Sequence, residues 1–79
     1  MNQEMEGSFR KQFGEIIRRH RKDMQLSQEE LADRSNLHRT YISELERGLK
    51  TVSLLSLFRI ARALDVPAYS LIQEVETFC

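Results

Sequence analysis

Apolar residues recur along most of this chain at intervals of three and four, the spacing that gathers them on one side of an α-helix. In the first third the stripe is Phe9, Phe13, Ile16, Ile17, His20 and Met24. It predicts a helix from Ser8, which can cap it, to about Met24. Met1 to Gly7 has no apolar period and is expected to be a flexible tail, with 8–79 as one domain. Gly14 weakens the helix by roughly 1 kcal/mol relative to Ala, which a close packing contact would explain.

The next stretch, Gln25 to Gly48, reads QLSQEELADRSNLHRTYISELERG. Ser27 followed three residues later by Glu30 is a capping box. Glu29 and Glu30 also lie where a helix dipole favours negative charge. Leu31 and Ala32 then face inward. Ser35-Asn36-Leu37 breaks the pattern, and Asn tolerates positive φ, which is the expectation for Asn36. A second short helix starts at about His38, with Ile42 and Leu45 on one face and Leu37 behind them. Gly48 fits the left-handed residue that ends it.

After a loop at Leu49-Lys50-Thr51-Val52, Thr51 or Ser53 caps a fourth helix. Its expected core face is Leu54, Leu57, Phe58, Ala61 and Leu64. Asp65-Val66-Pro67 ends it, because Pro67 pushes Val66 out of the helical region and suits the first turn of a new helix. That fifth helix runs to about Glu74 or Glu76 and presents Tyr69, Leu71, Ile72 and Val75. No strand pattern or repeat occurs. The expectation is an all-α, compact five-helix domain.

Two helices of two to three turns joined by three or four residues have the shape of a helix-turn-helix. The second carries Arg39, Thr40, Tyr41, Ser43 and Glu44 off its apolar face. Arg bonds bidentately to guanine, Thr meets a base edge or a thymine methyl, and Tyr and Ser suit phosphate or base contacts. A solvated face is the commoner meaning of any single polar helix. Here the order of elements, the turn and the polar set agree on double-stranded DNA.

Charge refines that picture. The 79 residues hold 12 basic and 12 acidic side chains, so bulk electrostatics does not coat nucleic acid here. Residues 8–24 carry six basic against two acidic groups, a surplus of +4. Arg18, Arg19, Arg21 and Lys22 therefore supply phosphate contacts or keep the first helix soluble. Residues 25–49 carry three against five, or −2. The single cysteine, Cys79, excludes an internal disulfide and points weakly to a cytoplasmic setting. No apolar run has the length of a membrane span, and the polar start is no signal peptide. His20 has no second ligand at metal spacing on its face. No glycine-rich phosphate loop and no nucleophile with a base is present, so neither an enzyme nor a cofactor is expected. A second class stays open: a helix-turn-helix module that binds another protein, such as a polymerase or a toxin. The zero net charge, with Glu44 and Glu46 on the second motif helix, keeps it open.

The stretch SQEELADRSNLHRTYISELERG resembles the core motif of Cro/CI-type (xenobiotic-response-element) helix-turn-helix proteins, and LSLFRIARALDVPAYSL resembles their next two helices. The likeness runs from about Phe9 to Ile72. Asn36 stands where the family often has Gly. The LHRTYISELERG wording is most similar to controller proteins of restriction–modification systems. The resemblance implies a lambda-repressor-like fold and a transcriptional regulator. It gives Gln28 a DNA-backbone contact, Arg39, Thr40, Tyr41 and Ser43 the groove, and Arg47 and Lys50 phosphate contacts. His38 is a cap or a phosphate contact. RNA polymerase is a further partner on this reading. The apolar surplus of the last helix predicts a homodimer through Tyr69, Leu71, Ile72 and Val75. Its two recognition helices would meet a palindromic operator one DNA turn apart.

Overall fold

A computed structural model describes residues 3–78; Met1, Asn2 and Cys79, the last expected to be a spectator, lie outside it. The described residues form α1 (Gln3–Asp23), α2 (Gln28–Ser35), α3 (Arg39–Glu46), α4 (Leu54–Ala63) and α5 (Ala68–Phe78). Helix α1 packs on α3 and α5, α2 packs on α3 and α4, and α4 meets α5.

Helix α1 begins at Gln3, five residues before the expected cap, so Ser8 is interior and the expected tail is helical from Gln3. Gln, Glu and Met are good helix formers, Glu4 and Glu6 sit at the positive end of the dipole, and Glu6 approaches Arg10 one turn on. Phe9 and Phe13 stack with ring centroids 6.1 Å apart. Phe13, Ile16 and Ile17 are buried, whereas Met24 lies beyond the helix and is exposed.

Helices α1 to α4 all end the same way. Gln25, Asn36, Gly48 and Asp65 take left-handed φ values of 59°, 57°, 74° and 58°. The next amide reaches back five residues, as in Leu26 N to Arg21 O (3.0 Å), Leu37 N to Ala32 O (2.9 Å), Leu49 N to Glu44 O (2.9 Å) and Val66 N to Ala61 O (3.0 Å). These are Schellman ends, each followed by an apolar residue.

The core is Phe13, Ile16, Ile17, Leu31, Ala32, Ile42, Leu45, Leu57, Ile60, Ala61, Leu64, Leu71 and Val75. Helix α4 departs from expectation. Ser53 caps it, accepting from the Ser56 amide, but the buried face is Ser56, Leu57, Ile60 and Ala61. Leu54 is 80% and Phe58 53% exposed. Both positions fall at helical spacing from Leu57 and Ala61, and only the placement of α2 and α5 selects one side. Helix α5 departs too. Leu71 is fully buried and Val75 nearly so, both within the protomer's own core. They are therefore withdrawn from the expected dimer surface, while Tyr69 and Ile72 remain exposed. Glu74 ties α5 to α1: Arg19 donates to it, and His20 Nε2 lies 2.7 Å from its Oε2.

Candidate nucleic-acid interface

The capping box forms as expected. Ser27 Oγ accepts from the Glu30 amide at 3.0 Å, and the Ser27 amide donates to Glu30 Oε1 at 2.9 Å. The bond from the Ser27 amide to the carboxylate favours its ionised form, so the Glu30 pKa falls below its usual value. Asn36 then turns the chain. Helix α3 starts after His38, whose backbone is extended (φ −76°, ψ 143°) and whose side chain makes no cap hydrogen bond. His38 occupies the cap position without capping, and its ring is exposed.

The orientation of α3 is set by a buried polar cluster. Arg21 Nε and Nη2 donate to Glu46 Oε2 and Oε1 at 2.7 and 2.9 Å. Arg21 Nη1 donates to the Leu26 carbonyl at 2.8 Å, and Gln28 Nε2 to Glu46 Oε1 at 3.1 Å. Donation to the Glu46 carboxylate raises the Arg21 pKa above its ordinary value, against the opposing effect of burial. One carboxylate thus joins the end of α1, the start of α2 and the end of α3. Removing either partner leaves a buried charge alone, which costs about 3–5 kcal/mol. A second lock lies beside it. A Cβ on Gly14 would meet the Leu45 carbonyl oxygen and stand 2.6 Å from that of Glu46, so α1 and α3 touch backbone to backbone.

Arg21 therefore does not belong to the basic surface cluster, and Glu46 is not a charge on the outer face of α3. Arg21 follows Ile17 by one helical turn, so its place on the apolar stripe was visible; its partner, 25 residues away, was not.

With Ile42, Leu45 and Glu46 inward, the outer side of α3 is the row Thr40, Glu44 and Arg47, flanked by Arg39 and Ser43. Arg39, Thr40, Arg47 and Lys50 are exposed. Arg47 Nε leans on the Ser43 carbonyl at 3.4 Å. Tyr41 is half-buried and packs on the core, so its ring supports α3 as much as it faces outward. Gln28 is half-buried, with one amide hydrogen given to Glu46. Gln28 thus sits against the end of α3 through Glu46, Arg39 and Thr40 are exposed at its start, and Arg47 and Lys50 follow its last residue. Among the described residues no cluster of His, Cys, Asp or Glu could hold a metal ion.

The helix-turn-helix family pattern matches residues 17–71. Control protein C.BamHI of Bacillus amyloliquefaciens is 44% identical over 63 residues, 78% of each chain. Control protein C.SmaI of Serratia marcescens is 45% identical over 53 residues, 67% of this chain and 63% of its own. Among solved structures, the restriction-modification controller protein C.AhdI from Aeromonas hydrophila superposes with a TM-score of 0.77 at 40% identity, covering 78% of this chain and 94% of that one.

Proposed function

This chain belongs to the helix-turn-helix family, and from that premise we propose that it is a sequence-specific double-stranded DNA-binding regulator of restriction–modification genes, acting as a homodimer on a palindromic operator. The observation that carries the reading is the outer face of α3. It exposes Arg39 and Thr40 at its N-terminal end, on a helix held rigidly by Arg21, Glu46 and Gly14. A recognition helix enters the major groove by that end. Arg39 reads guanine there; Gln28, Arg47 and Lys50 hold phosphates.

The dimer reading is supported by apolar side chains outside the core. Leu54, Leu55 and Phe58 on α4 and Tyr69 and Ile72 on α5 are exposed, and the two helices pack together. The similarity to control proteins supports the regulated genes. An operator-bound dimer acts on RNA polymerase by contact or by occlusion. The role is binding without catalysis, in the cytoplasm where the DNA is. Among the described residues no helix is long and apolar enough to cross a membrane. The protein-module alternative loses one of its grounds, because Glu46 is inside the fold.

Selection of bound duplexes from a random pool tests the proposal. A single enriched palindrome, with affinity falling steeply as salt rises, is the expected result. Recovery of no enriched sequence, with flat salt dependence, would sink it.

A further inference from the structure

Glu44 stands in the middle of the outward row of α3, four residues after Thr40 and three before Arg47. It is half-exposed, and among the described residues no ion pair or side-chain hydrogen bond engages it. The nearest cation in sequence on that row, Arg47, is turned onto the Ser43 carbonyl instead. A free carboxylate at this place repels the phosphates that Arg39, Arg47 and Lys50 attract. It is compatible with tight binding only where it meets a hydrogen-bond donor. In the major groove the donors are the exocyclic amino groups, and a carboxylate, an acceptor without protons to give, pairs with cytosine N4. Thymine offers O4 in the equivalent place, so acceptor would face acceptor. Adenine N6 lies next to the acceptor N7, a pair that suits an amide better than a carboxylate.

We propose that Glu44 is a specificity-determining residue. It accepts a hydrogen bond from a cytosine amino group in each half-site, at a base pair other than the one read by Arg39. The proposal rests on the DNA-binding reading above and adds to it a base that the basic side chains do not choose. Its action is chiefly exclusion: the wrong base leaves a desolvated carboxylate without a partner.

The test is duplex selection from a random pool with the wild-type chain, Glu44→Gln and Glu44→Ala, together with affinities for the selected site and for random duplex. Thermal melting checks that the variants stay folded, as a surface substitution should. The wild type is expected to prefer cytosine about tenfold at one position per half-site, a single-hydrogen-bond preference. Glu44→Gln should move that position alone toward adenine. Glu44→Ala should lose preference there and bind random duplex as tightly as the wild type or more tightly. Two results overturn the proposal differently. If both variants keep every base preference and bind all duplexes more tightly, Glu44 is only an electrostatic brake, and the DNA reading stands. If the wild type enriches no duplex, the DNA reading itself falls and takes this one with it.

Discussion

At the scale of single residues, local conformation and groove chemistry set the expectations. Asn36 has the positive φ that its turn demanded. Replacing it by Gly should leave stability unchanged or slightly raised, and a loss above ~1 kcal/mol in urea denaturation would contradict that reading. Gln25 and Asp65 have the same backbone with less suited side chains. Left-handed geometry costs an ordinary residue roughly 1–2 kcal/mol, so Gln25→Gly should raise the midpoint. For DNA, Arg39→Ala should cost about 1–3 kcal/mol on the selected site and relax preference at one base pair. Arg47→Ala and Lys50→Ala should weaken selected and random duplexes alike and flatten the salt slope. Equal losses for Arg39→Ala on both duplexes would make Arg39 a phosphate clamp.

At the scale of elements, the α1–α3 contact and the α2 cap each have a measurable consequence. Gly14→Ala would be favourable in an isolated helix. Here the new methyl meets two carbonyl oxygens of α3 that belong to the backbone and cannot rotate away. The helices must separate, with an expected loss of about 1–3 kcal/mol and a weaker DNA complex through displacement of α3. A variant as stable as the wild type would mean that the two backbones are not in contact in solution. The capping box sets a pH dependence. The folded-state pKa of Glu30 lies below the unfolded one. The unfolded chain therefore binds the proton first, so the contribution is complete above the unfolded pKa and is lost as pH falls through the folded one. Stability of the wild type should fall over that acid range more than that of Glu30→Gln. Parallel curves would show that the bond is not retained in solution.

At the scale of the molecule, the question is what covers Leu54, Leu55, Phe58, Tyr69 and Ile72. A lone recognition helix touches few bases, and two-fold pairing doubles them. Sedimentation at micromolar concentration should give a dimer for the wild type. Phe58→Asp and Tyr69→Asp should give folded monomers that bind the operator weakly, because neither side chain supports the core. A wild type that sediments as a monomer, unchanged in either variant, removes this surface as the interface.

Local signals in the chain determined much of this protein. Apolar spacing, the Ser27–Glu30 cap, Asn36, Gly48 and Pro67 act within a few residues of themselves, so five helices and the polar face of α3 were legible without coordinates. Side chains at helical spacing from two faces were not. Phe58 and Ile60 are equally apolar and lie on opposite sides of α4, and only its neighbours decide that Ile60 is buried and Phe58 exposed. Leu71 and Ile72 divide in the same way on α5. The left-handed turns at Gln25 and Asp65 come from the demand that each helix stop and reverse, not from the residue's own preference. The pairing of Arg21 with Glu46 needs α1 and α3 in contact across 25 residues of chain. Periodicity says that a residue shares a face with its neighbours three and four away; which face meets another helix is a property of the packed molecule.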